Sequence, residues 1–204
     1  MDADDRTPAA MVARHRAARH VVCAHIVQER DRQQTLWGDQ SAHLLHTWAA
    51  ILAEEVGEVC QAVLQGVWRS PHEVPLQDLE AAIAEHTLLE LTQTVAVAVN
   101  MLEVLLEPHE DLRARAMAVI CTRRVRMDAD HGPLDHLGAH TWAAKLVECM
   151  GGVCANANLM GNAPLRDLSQ SHSDAVFARL EHLSAVAMYM AELIVMSKQH
   201  APAL

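Results

Sequence analysis

Between Leu45 and Gly66 apolar residues return every third or fourth position, with Trp48, Ile51, Leu52, Val56, Val59 and Val63 in phase. That period belongs to an amphipathic helix, and it predicts one over about 44–66. An earlier helix opens at Thr7-Pro8, where proline suits the first turn, and runs to about Leu36. A later one begins near Pro75 and ends near Glu107. A second set follows, from Glu107-Pro108 to about Met127, over 138–160, and from near Pro164 to Lys198. The joining segments, Arg69 to Pro75 and Gly161 to Pro164, are short and polar.

The two sets are copies. Residues 46–60 match residues 140–154 at ten of fifteen positions, and the same offset of 94 pairs Ile26 with Ile120, Arg30 with Arg124, Arg32 with Arg126 and Gly38 with Gly132. Past a shorter loop the offset becomes 89, pairing Pro75-Leu-Gln-Asp-Leu79 with Pro164-Leu-Arg-Asp-Leu168. The chain therefore divides into a flexible N-terminus (1–11), a first helical unit (12–107) and a second (108–199). Two units with broad apolar faces are expected to pack about a pseudo-twofold axis as an intrachain pseudo-dimer. Further pairing into a homodimer stays open.

Composition supports an all-α fold: 51% of the 204 residues are hydrophobic, aromatics reach only 3%, and glycine and proline are scarce. A formal charge of −10 argues against nucleic acid as a partner, because phosphate-backbone binding relies on lysine and arginine clusters. The acidic start Met-Asp-Ala-Asp-Asp is unlike a signal peptide, and Asn100, Glu103 and Glu192 interrupt the apolar runs around Val95 and Met188. No membrane partner and a cytoplasmic setting are expected. Five cysteines without a Cys-x-x-Cys pair read as small core residues. The pairs His43/His46 and His136/His140 lack a third soft ligand, so a zinc site is not expected there.

Within the 44–66 helix stand Glu54, Glu55 and Glu58. At about 100° per residue all three project from one stripe, where like charges repel. They form either a solvated outer face or, if buried, a site that needs a cation, since unpaired buried carboxylates cost several kcal/mol. The next helix of the same unit carries a second stripe of oxygen-bearing side chains, Glu90, Gln93 and Asn100, in an apolar background. Facing each other, the two stripes would make an all-oxygen cage suited to a hard cation such as Mg²⁺ or Mn²⁺.

These residues resemble the all-α nucleoside triphosphate pyrophosphohydrolases, the MazG-like superfamily, whose pattern is Glu-Glu-x-x-Glu on one helix, Glu-x-x-Asp on the next, and often an Asn seven residues later. This chain has Glu54-Glu55-Val-Gly-Glu58, Glu90-Leu-Thr-Gln93 and Asn100, with Glu29-Arg30 and Trp37-Gly-Asp-Gln40 upstream, similar to an ER…WGxQ stretch of small members. It departs in having Gln93 for the Asp, and 31 residues between the motifs. The resemblance implies that Glu55, Glu58, Glu90 and Gln93 hold Mg²⁺, with Mn²⁺ as an alternative. It implies that Glu54 orients or deprotonates the attacking water, and that a nucleoside triphosphate yields a monophosphate and pyrophosphate. Asn100, Trp37, Gln40 and Arg30 are then candidates for substrate binding. In the second unit the corresponding positions are Cys149, Gly152, Arg179, His182 and Tyr189, with Glu148 the one acid retained, so that unit reads as a degenerate scaffold. Its Lys145, Arg123 and Arg124 are candidates to reach into the active unit, and Arg179 is expected to pair with Glu148. The alternative is a pseudoenzyme, a nucleotide- or partner-binding helical module.

Overall fold

A computed structural model describes residues 7–68, 72, 74–106, 108–132, 134–160 and 162–198. Its described residues form six long helices: α1 (Pro8–Trp37), α2 (Leu45–Val67), α3 (Ala81–Leu105), α4 (Leu112–His131), α5 (Ala139–Met160) and α6 (Gln170–Lys198). The all-α expectation is met. Thr7 caps α1 by accepting a hydrogen bond from the Ala10 amide at 3.2 Å, with Pro8 in the first turn. Helical structure thus includes residues 8–11, within the stretch expected to be a flexible terminus. Residues 1–6, most of the Arg69–Pro75 linker, and the unit ends at 107 and 199 lie outside the described residues.

Pro75 and Pro164 do not open α3 and α6 directly. Each starts a 3-10 turn, Leu76–Asp78 or Leu165–Asp167, that buries its leucine before the long helix begins. Likewise α4 begins at Leu112 rather than Pro108. Gly38 and Gly132 end α1 and α4 at φ of 66° and 68°, a conformation that costs other residues through Cβ sterics. At Gly66 a Cβ would stand 2.8 Å from Leu79 Cδ2 and 2.9 Å from Ile83 Cγ2, so glycine lets the start of α3 press onto the end of α2.

Helices α2, α3, α5 and α6 pack into a four-helix core, with α1 and α4 laid against α3 and α6. Trp48, Leu52, Val59 and Val63 of α2 and Leu91, Val95 and Leu102 of α3 are buried, as are Trp142, Leu146 and Leu180 in the later helices. Windows of α3 and α6 are long and apolar enough to span a membrane despite Asn100, Glu103 and Glu192, but 72% and 83% of those windows are buried within the bundle. Their apolarity is accounted for by core burial.

Contacts between the halves come in reciprocal pairs. Leu44 bridges Pro164 while its counterpart Gly138 bridges Pro75. The Leu45 amide donates to Ala163 O at 3.1 Å, and the Ala139 amide donates to Val74 O at 2.7 Å. Arg19 of α1 donates to Glu192 of α6 at 2.7 Å, and Arg113 of α4 donates to Glu103 of α3 at 3.0 Å. Within each half a buried arginine meets the same acid, Arg30 with Glu103 at 2.8 Å and Arg124 with Glu192 at 2.7 Å. Every member of these pairs maps onto its counterpart by the offsets 94 or 89.

Candidate metal centre

Glu55 and Glu58 lie one turn apart on α2, and Glu90 faces them from α3. One oxygen from each falls within 4.8 Å of the others, the one such group of three potential metal-ligating side chains among the described residues. Burial differs along the stripe: Glu55 is 8% and Glu90 6% exposed, while Glu58 and Glu54 are exposed. The stripe is therefore neither wholly solvated nor wholly buried, and it tilts Glu55 inward. Glu55 Oε2 is buried without a hydrogen-bond partner. A carboxylate so placed calls for a cation or a proton.

The electrostatics agree. Burial first, then the charges of Glu58, Glu90, Glu54 and Glu29, push the Glu55 carboxyl up to about 7. Burial and the Glu58 charge also raise Glu90, against the opposing pull of His86, whose Nε2 lies 3.0 Å from Glu90 Oε1. A divalent cation would relieve all of these at once, and three carboxylates form the hard-oxygen donor set that Mg²⁺ and Mn²⁺ take. The residues present fit such an ion.

Gln93 stands beside the cluster, but its Nε2 donates to Glu90 Oε2 at 3.0 Å, so its amide nitrogen rather than its oxygen faces the acids. Turning the amide over would present the oxygen to a cation.

The substrate-binding candidates separate into different surroundings. Arg30 is 3% exposed and donates to Glu103, to Gln34 and to Asn100 Oδ1, while Asn100 donates in turn to Gln40 Oε1 at 2.9 Å. Arg30, Asn100 and Gln40 are thus joined in one network, with the Arg30 charge already met by Glu103. Arg30 Nη1 is buried without a hydrogen-bond partner. Trp37, at the end of α1, is 50% exposed and not a core anchor. Lys145 lines a separate cavity of the second half with Glu148, Arg179 and His182. Arg123 lies 3.4 Å from His182, and Arg124 is fully buried against Glu192. The expectation that these three cations serve the acidic cluster is corrected accordingly.

Three side chains not assigned to the site beforehand belong beside it. Glu29 of α1 adds to the charge that raises Glu55, and Arg32 holds Glu29 at 2.7 and 2.8 Å. Both line a groove of about 730 Å³ with His25, Gln28, Glu85 and His86. The signal for Glu29 lay in the Glu29-Arg30 pair, but nothing in the spacing placed His86 on Glu90.

In the second half, the δ carbon of Arg179 approaches to 3.1 Å of where a Cβ on Gly152 would stand. Arg179 and Glu148 line the same cavity, yet no ion pair within 4 Å joins them among the described residues, which corrects the expected pairing. The five cysteines are half-buried free thiols at the core margin rather than fully buried, and Cys23 and Cys121 bring their sulfurs to 3.6 Å.

The chain matches no family model, no curated protein and no solved structure.

Proposed function

We propose that this chain is a metal-dependent nucleoside triphosphate pyrophosphohydrolase of the MazG-like kind, built as a fused pseudo-dimer with one metal-binding half and one degenerate half. The observation that carries the reading is the Glu55, Glu58 and Glu90 cluster, with a buried Glu55 oxygen that has no partner. The reciprocal bridges and arginine–glutamate pairs support the pseudo-twofold packing of two like units.

Bound Mg²⁺ or Mn²⁺ would neutralise the triphosphate and lower the pKa of water. Glu55, Glu58 and Glu90 hold the ion. Gln93 and His86 hydrogen-bond Glu90 and fix its orientation, as outer partners of metal ligands do. Exposed Glu54, next to Glu55 on α2, would orient the attacking water and accept its proton. Arg32, at the groove, is paired with Glu29 through two hydrogen bonds and could turn to an entering phosphate only by giving up that pair. Products are a nucleoside monophosphate and pyrophosphate, and the partners are small nucleotides rather than nucleic acid or membrane.

The test is pyrophosphate release from a panel of canonical, deoxy- and modified nucleoside triphosphates in Mg²⁺ or Mn²⁺. Release that stops with EDTA supports the reading. Nucleotide binding without release from any member would favour the pseudoenzyme alternative.

A further inference from the structure

The second half keeps a cavity where the first half has its acids, but the charge has changed sign. By the repeat offsets, Lys145 replaces Ile51, Arg179 replaces Glu90, Arg123 replaces Glu29 and His182 replaces Gln93. Glu58 becomes Gly152, and that glycine gives room to the Arg179 side chain. Lys145, Arg179 and His182 line a cavity of about 280 Å³ together with His131 and the single acid Glu148, and Arg123 reaches His182 from α4. Neither Lys145 nor Arg179 has an ion-pair partner within 4 Å among the described residues. In a chain of formal charge −10, two exposed cations without an ion-pair partner converge on one cavity and make it locally positive, which favours an anion there.

We propose that this cavity is an anion-binding site for a phosphate or pyrophosphate group. The lining matches that chemistry: a guanidinium and an ammonium offer several charged donors, and neutral His182 can add a ring N–H. Burial, then Arg123 and Arg179, hold the His182 imidazole below its ordinary pKa, consistent with an excess of positive charge around it. Glu148 is the one acid in the lining, against Lys145 and Arg179. The volume falls at the small end of ligand pockets, roughly 300 Å³ and upward, which suits a phosphate group better than a whole nucleotide. The inference does not depend on hydrolysis in the first half.

The test is titration calorimetry of the full chain with inorganic pyrophosphate, in EDTA and on a Glu55→Gln background so that the first half contributes neither metal binding nor turnover. One pyrophosphate per chain is expected. Arg179→Gln and Lys145→Gln should each weaken it about tenfold, the effect of removing one charge-assisted hydrogen bond. Both side chains are exposed, so the variants should keep the wild-type melting temperature and circular dichroism. Gly152→Glu, which puts an acid back and displaces Arg179, should abolish binding. A nucleoside triphosphate analogue with a methylene bridge between the α and β phosphates is the competitor. If it displaces pyrophosphate, the source is a nucleotide's phosphate tail, and if it does not, the source is the free anion; either supports the site. No binding at about 1 mM, the weak end of specific affinities, or unchanged binding in the Arg179→Gln/Lys145→Gln double variant, would overturn it.

Discussion

Gln93 donates its side-chain N–H to Glu90 across 3.0 Å, on the same helix and one turn apart. A donor at this position steadies Glu90 when no cation is bound. Aspartate there would instead add a negative charge, so Gln93→Asp should tighten Mg²⁺ and Mn²⁺ binding while lowering the melting temperature of the metal-free protein. Gln93→Ala, which removes a partner of a ligand, should weaken metal binding by about 10- to 100-fold. Calorimetric titration with Mn²⁺ checks both, and weaker binding by Gln93→Asp would mean that position 93 does not face the ion.

The Glu55 carboxyl gives a pH dependence of known sign. Its pKa rises on folding to about 7 from an ordinary 4.5, so the native state holds the proton more tightly. The contribution is stabilising below pH 4.5 and is lost as pH climbs through 7. Melting temperatures of the metal-free protein should fall across that window. Glu55→Gln should flatten the fall, and saturating Mg²⁺ should remove it. A wild-type profile identical to that of Glu55→Gln would show that Glu55 ionises as freely as in water.

His15 adds a second leg at higher pH. Burial pulls this imidazole down, but hydrogen bonds to Asp135 and Glu192 outweigh that and hold it at about 9. Its stabilisation is complete below 6.5 and lost as pH rises through 9. Glu192, fully buried, also receives Arg19 and Arg124. Glu192→Ala should therefore cost about 3–5 kcal/mol, the range for stranding buried charge. Chemical denaturation measures it, and a loss under 1 kcal/mol would mean that water reaches the network.

The helix register and the repeat were legible in the sequence because both rest on local pattern: Trp48, Leu52, Val59 and Val63 mark one buried face, and the 94-residue offset carries Trp48 onto Trp142. Glu55, Glu58 and Glu90 were legible as a stripe on each of two helices. The rest was not, because long-range pairing has no period. Nothing in the spacing of Arg30 says that it will spend its charge on Glu103, 73 residues away. Lys145 was misplaced for the same reason: helical phase gives the face of α5, not which half's cavity that face lines. The 3-10 turns after Pro75 and Pro164 escaped because proline suits the start of either kind of helix.

Cys23 and Cys121 offer a check on the packing of α1 against α4. Their sulfurs are 3.6 Å apart, and the neighbouring Cys23 thiol, then Arg19, draw the Cys121 thiol down to about 7. Mild treatment with diamide should form a Cys23–Cys121 disulfide, with diamide taking up the two electrons and two protons. Peptide mapping reads the product. Formation of other pairs in its place would contradict the arrangement of these two helices.

The central claim is that one half holds a divalent cation and the other does not. Crystals soaked in Mn²⁺ test it most directly, through the anomalous scattering of the metal. The account predicts a peak bounded by Glu55, Glu58 and Glu90, absent in Glu58→Gln, and none beside Glu148 and Arg179. An acidic cluster without a peak at saturating Mn²⁺, or a peak at Glu148, would contradict it.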